Sequence, residues 1–280
     1  MYLIKRLLFV VMMTFVGVSG YMALFEDQFI YFPSRDVQAT PADYGMTFEE
    51  LLVGTEDGIT LHGWYMPEPL SHFTVLHFHG NAGNISHRLS LYKAWQSLGL
   101  SVYAFDYRGY GKSEGTPGEA GLYADARAVW SDLTIRLGVK PQHVIIAGRS
   151  LGAAVAAKLA SEVNAAGVVL ETPFSSIPDM AALHYPWLPV RWLARTNFDT
   201  ESMVRDVHMP LLMIAARDDA ISPAQMADSI FAAANAPKTK VELPGGHNDF
   251  DHYSSMAYGE AWREWIAMLG RRDGSAVPER

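Results

Sequence analysis

From residue 73 onward, short runs of apolar side chains alternate with longer stretches in which apolar positions recur every three or four residues. FTVLHFH is followed by SHRLSLYKAWQSLG, LSVYAFD by GEAGLYADARAVWSDLTIRLG, and HVIIAG by LGAAVAAKLASEV. Short continuous apolar runs are the pattern of strands covered on both faces, and the periodic stretches between them predict helices. This rhythm predicts an α/β fold, a mostly parallel sheet with helices on both faces. AGVVLE, PLLMIAA and KVEL supply further strands, and PAQMADSIFAAAN and MAYGEAWREWIAML further helices. Ahead of them, TFEELLV and ITLHGWYM alternate partially around the turn GTEDG, which predicts an antiparallel hairpin.

One interval breaks the rhythm. Between the strand ending at Glu171 and the one starting near Pro210 lie about 38 residues, more than an ordinary connection needs. The segment from about 172 to 208 therefore predicts a small cap over the site. Its Trp187, Leu188, Trp192 and Leu193 are candidates to line an acyl pocket, or to form the core of the cap itself. There is no internal repeat or low-complexity linker, so residues 26–270 are expected to form one domain. The polar tail 271–280 is expected to fray.

The N-terminus follows a different pattern. Leu7 to Phe25 carries no charge and as a helix reaches roughly 28 Å, close to the hydrocarbon thickness of a bilayer. Residues 1–25 therefore read as a membrane anchor. Lys5 and Arg6 precede the apolar stretch, and Glu26 and Asp27 follow it. That asymmetry keeps the N-terminus cytoplasmic and sends the domain to the extracytoplasmic side. The competing reading is a cleaved signal peptide, with an apolar core from Leu7 to Val16 and Val18-Ser19-Gly20 as the processing site, giving a secreted or periplasmic protein. A buried core helix would need an amphipathic face, which this stretch lacks. The aromatic FIYFP at 29–33 then sits at the membrane interface, or else forms a first strand or docking segment.

Composition narrows the function. A formal net charge of −8 with scattered Lys and Arg offers no basic face for nucleic acid. Cysteine is absent, which removes disulfides, thiolate catalysis and cysteine-ligated zinc. RGYGKSEG contains GKS, but a phosphate-binding loop needs a glycine five residues before Gly111, where Asp106 stands. No dinucleotide fingerprint opens a helix after a strand. His247, Asp249, Asp251 and His252 cluster without a familiar metal-ligand spacing. No cofactor is implied.

In parallel sheets functional groups gather at the carboxyl ends of strands, and four candidate stretches stand there. In GRSLG, Ser150 lies at a sharp strand-to-helix turn flanked by glycines, where its hydroxyl stands clear of the backbone. An alcohol needs an imidazole to take its proton as it attacks, and His247, in the loop after KVELPGG, is placed for that. A carboxylate must orient the imidazole; Asp218 and Asp219 after LLMIAAR, and Glu171 after GVVLE, are the candidates. The backbone amide of Leu151 and that of Asn81, in HGNAGN, are the expected oxyanion donors. His79 reads as a holder of that loop rather than as a base.

HFHGNAGNISHR, FDYRGYGKSEGTP, GRSLGAAVA, LETPFSSI, ARDDAISP and GGHND, in this order, resemble the α/β-hydrolase superfamily, specifically the Bem46-like serine hydrolases, over residues 28 to 269. The family's acid-loop spacing ahead of Pro223 falls on Asp219, so the resemblance implies Ser150, Asp219 and His247 as a triad. It also implies the Asn81 and Leu151 amides as oxyanion hole, and an N-terminal membrane segment. The family often carries glycine where Ala216 stands, which leaves the choice between Asp218 and Asp219 open. The implied activity is hydrolysis of acyl esters or thioesters, lipid-like ones among them, beside a membrane, falling at acid pH as His247 gains a proton. A serine peptidase or amidase and a non-catalytic binding module are the alternatives.

Overall fold

The computed structural model describes residues 1–249 and 255–274. The chain begins with a long helix, α1 (Tyr2–Leu24), followed by a single helical turn, α2 (Asp27–Ile30), and a two-residue strand, β1 (Phe32–Pro33). The hairpin β2 (Glu49–Gly54) and β3 (Thr60–Met66) follows, then β4 (Thr74–Phe78), β5 (Ala82–Gly83), α3 (Leu89–Ser97), β6 (Ser101–Phe105) and α4 (Glu119–Ser131). Next come β7 (Val144–Arg149), α5 (Leu151–Glu162) and β8 (Gly167–Glu171). Three short helices, α6 (Ile177–His184), α7 (Val190–Leu193) and α8 (Thr200–Met203), separate β8 from β9 (Leu211–Ala216). The chain closes with α9 (Ala224–Ala233), β10 (Lys238–Leu243) and α10 (Met256–Asp273).

Eight strands form one sheet in the order β10-β9-β8-β7-β4-β6-β3-β2. β2 and β3 are antiparallel, as is β3 with β6; every other neighbour is parallel. Side chains alternate across the sheet plane, so each central strand feeds two cores. Val75, Val102, Ile145 and Ala147 face α3 and α10, where Trp95, Trp262 and Trp265 are buried. Leu76, Tyr103, Phe105 and Ile146 face α4, α5 and α9 on the other side. This two-sided burial is why these strands are almost uniformly apolar.

The strand order fixes where a site can open. From β4 the chain steps outward to β6, then crosses back over β4 to β7. Adjacent connections therefore leave the sheet in opposite directions at the carboxyl ends of β4 and β7, which creates a crevice there.

The N-terminal and C-terminal expectations change in detail. FIYFP does not simply rest at an interface. β1 pairs in parallel with β5, and Ile30 and Tyr31 are buried. The predicted tail is partly helical, since α10 continues through Asp273 and ends on Gly274 in the left-handed region at φ 73°; residues 275–280 lie outside the described residues.

Candidate active site

The turn between β7 and α5 concentrates its strain on the serine itself. Ser150 adopts φ 52° and ψ −118°, a conformation costly for any residue with a Cβ, by about 1–3 kcal/mol. The flanking glycines serve close packing instead. A Cβ on Gly148 would stand 2.1 Å from the Gly152 carbonyl oxygen, and one on Gly152 would stand 2.0 Å from that of Phe78. These clearances press α5 against the ends of β4 and β7 and hold the serine out over the crevice. The Ser150 amide donates to the Glu171 carbonyl at 2.9 Å, tying the turn to β8.

The loop after β10 carries His247 to the serine. Gly245 takes φ 105°, closed to most side chains, and lets the chain reverse there. His247 Nε2 lies 3.0 Å from Ser150 Oγ, and its Nδ1 lies 2.7 Å from Asp219 Oδ2. With Nδ1–H donating to the carboxylate, Nε2 is left to accept the serine proton. Asp219 is itself held: its Oδ1 accepts the Ile221 and Ser222 amides at 2.9 and 2.7 Å, and its side chain is 1 % exposed.

The other two carboxylates point elsewhere. Asp218 is exposed, and its Oδ2 accepts the Gly245 amide at 3.3 Å. Glu171 is buried and accepts the Tyr258 hydroxyl at 2.6 Å, with its pKa raised by burial. Among the described residues, only Asp219 of the three is hydrogen-bonded to His247.

Asn81 and Leu151 both border the cavity beside Ser150, and neither backbone N–H donates to another group among the described residues. The Asn81 loop is braced on all sides. The Tyr110 hydroxyl donates to the Asn81 carbonyl at 2.8 Å, the Tyr107 hydroxyl to that of His79 at 3.0 Å, and Asn81 Nδ2 to that of Ile30 at 2.9 Å. His79 is fully buried, donates through Nδ1 to the Gly80 carbonyl at 2.7 Å, and is held neutral by burial with its pKa lowered to about 4. It has the position of a loop holder.

The GKS stretch is absorbed by the fold. Gly111, at φ 48°, leaves room for Asp106, whose Oδ2 would lie 2.0 Å from a Cβ at that position. Ser113 Oγ donates to the Asp106 carbonyl at 2.6 Å. Among the described residues no group of three or more His, Asp or Glu side chains is arranged to hold a metal ion; Asp251 and His252 lie outside the described residues.

A cavity of about 440 Å³ opens over Ser150 and His247. Its lining is mostly apolar, with Phe174, Met180, Leu188 and Leu193 contributed by β8–β9 connection residues. Of the four cap residues that were candidates for the lining or for the cap's own core, Leu188 and Leu193 face the cavity, whereas Trp187 and Trp192 are 59 % and 90 % exposed and do neither. The short turn α7 has room to bury only one side, and Val190 takes a place in the lining.

Two contributors were not anticipated. Arg149, the last residue of β7, is buried and its guanidinium donates to the His247 carbonyl. The end of α1 also borders the cavity, through Ser19, Met22 and Ala23, with Glu26 beyond. These four positions are spaced i, i+3, i+4, i+7, one face of a helix, a signal present in the sequence but hidden by the uniform hydropathy of the segment.

This sheet, elbow and hydrogen-bonded Ser–His–Asp chain define an α/β hydrolase. Comparison with known proteins agrees. Residues 71–198 match the family model described as serine aminopeptidase, S33. The chain is 40% identical to the Mycobacterium tuberculosis protein Rv2307c over 261 residues, covering 91% of this chain and 93% of the relative. It is 30% identical to the protein bem46 of Schizosaccharomyces pombe, covering 79% of each. In fold it is similar to the Pyrococcus furiosus esterase Pf2001, with a TM-score of 0.70 at 23% identity, covering 87% of this chain and 98% of that one. The chain belongs to the Bem46-like α/β-hydrolase family.

Proposed function

We propose that the protein is a membrane-tethered serine hydrolase that cleaves carboxylic esters or thioesters through an acyl-serine intermediate. The observation that carries this reading is the Asp219–His247–Ser150 hydrogen-bond chain, ending beside two amides that have no acceptor among the described residues and under an apolar cavity. His247 Nε2 takes the serine proton as Oγ bonds to the carbonyl carbon, and the Asn81 and Leu151 amides receive the developing oxyanion. Collapse breaks the bond to the leaving group, which departs with the proton from His247. Water, deprotonated by the same imidazole, then releases the acid and restores Ser150.

The cavity favours an acyl group over a peptide amine. An aminopeptidase must receive an N-terminal ammonium, and among the lining residues the carboxylate is Glu26. That carboxylate already accepts the Arg195 and Thr196 amides at 3.0 to 3.2 Å. The tether is the 23-residue α1, which carries an 18-residue stretch with a mean hydropathy of 2.1 and is long enough to cross a bilayer; Lys5 and Arg6 at its start, ahead of the uncharged stretch, orient the domain to the extracytoplasmic side.

The test is covalent labelling of the full-length protein with a fluorophosphonate, read by peptide mass mapping. Labelling confined to Ser150 and lost in Ser150→Ala is expected; a folded, unlabelled protein returns the chain to the class of non-catalytic binding modules. Asp219→Asn is expected to lower kcat by about 10⁴-fold through loss of the correct imidazole tautomer, and Asp218→Asn by less than about threefold.

A further inference from the structure

The end of the membrane helix is a wall of the cavity that holds Ser150, and this constrains what reaches the serine. Ser19, Met22 and Ala23 present one face of α1 to the cavity, and Ser19 is buried there. The attachment is specific. Glu26, just past the helix end, receives the backbone amides of Arg195 and Thr196 from the cap connection. On the other side Phe32 N–H donates to the Asn81 carbonyl at 2.9 Å, so the segment that leaves the membrane is stitched to the loop of the expected oxyanion donor. Helix, cap and oxyanion loop thus enclose one space.

Depth follows from helix geometry. If the uncharged stretch 7–25 occupies the hydrocarbon, the turns from Ser19 to Phe25 lie within roughly 9 Å of its outer surface. The cavity wall they form is then at the level of lipid acyl chains and head groups. The surrounding surface fits that depth. Phe29, Phe32 and Tyr185 border the cavity and are also exposed, and Trp187 and Trp192 stand exposed on the same cap. Exposed aromatic rings gathered in this way suit the membrane–water interface, and an apolar patch around a cavity mouth is costly in water.

We infer that the substrate is an acyl ester of a membrane lipid, whose chain passes from the bilayer along the Ser19–Met22–Ala23 face of α1 into the cavity without crossing water. This rests on the serine-hydrolase reading and adds the lipid class and its route. The apolar lining takes the chain, the ester carbonyl stops at Ser150, and the head group stays at the aromatic rim. Cleavage after Gly20 would remove Ser19 from this wall and the helix that carries Met22 and Ala23, so on this reading α1 is a working part of the enzyme.

The test uses the full chain in phosphatidylcholine vesicles and reads a ratio: release of fatty acid from a vesicle-embedded dioleoyl glycerolipid against hydrolysis of soluble p-nitrophenyl acetate. Ala23→Trp, which fills the cavity from the helix side, is expected to lower this ratio at least tenfold. Leu24→Trp, one residue on and exposed, keeps the wild-type ratio. Met22→Ala, which enlarges the space, shifts the preferred chain upward in length and decides the question should Ala23→Trp fail to fold. Equal ratios in the two tryptophan variants with no shift in Met22→Ala overturn the inference. So does a wild-type protein that cleaves acetate, or an S-acylated peptide in solution, while leaving the vesicle lipid intact. Absence of fluorophosphonate labelling in the wild type would instead sink the hydrolase reading beneath it.

Discussion

The guanidinium of Arg149 donates to the backbone carbonyl of His247, so the residue immediately before the serine grips the residue that faces it. The two loops that bring Ser150 and His247 together are thereby fastened to each other at a point where Arg149 and His247 are both buried. Arg149 touches no reacting atom and acts by positioning. A hydrogen bond from a charged group contributes about 1.5–3 kcal/mol. Arg149→Met should therefore lower kcat by roughly 10- to 100-fold with KM little changed, and Arg149→Lys should recover part of the loss. A KM effect of the same size as the kcat effect would assign Arg149 to substrate binding instead.

The strain at Ser150 sets stability against function. At φ 52° and ψ −118° any Cβ is unfavourable. Ser150→Ala and Ser150→Gly both remove the hydroxyl, but only glycine relaxes the backbone. Even after the greater flexibility of glycine in the unfolded chain is counted, Ser150→Gly should be the more stable of the two by about 1 kcal/mol. Chemical denaturation of both variants measures the difference, and equal midpoints would mean the turn is not strained.

Acid sensitivity of the fold should arise from two buried histidines at the end of β4. His77 and His79 are buried and held neutral, His79 at about 4 and His77 well below the ordinary 6.5. Unfolded, both take up a proton near 6.5; folded, they do not. Stability from these groups is complete above about pH 6.5 and declines as pH falls toward 4. His77 contacts Tyr92 through Nδ1 at 3.1 Å and lies outside the site. His77→Gln should flatten the dependence of Tm on pH between 5 and 7, and an unchanged slope would place the acid sensitivity in other groups.

The strand–helix rhythm was legible because burial on both faces forces continuous apolar strands, as in HVIIAG and PLLMIAA. Ser150 and His247 were legible for a related reason: the carboxyl ends of parallel strands converge, so residues just beyond two such runs come close whatever lies between. Asp218 and Asp219 could not be separated by position alone. One loop residue decides which carboxylate is exposed and which turns inward to the imidazole, and only the backbone path through Ala216 and Gly245 shows that it is Asp219.

What the chain alone determined was everything that repeats or is local: element order, the long apolar N-terminal segment, the elbow and the imidazole loop. What tertiary structure decided was contact between segments far apart in sequence. Trp192 and Leu193 are neighbouring large apolar side chains, yet one is exposed to solvent and the other lines the cavity, because α7 has a single protected side. Arg149 reaching His247 and Ser19 reaching the space above Ser150 follow the same logic. Hydropathy records how strongly a side chain avoids water, whereas the partner that shields it is set by how the sheet, cap and N-terminal helix close on one another.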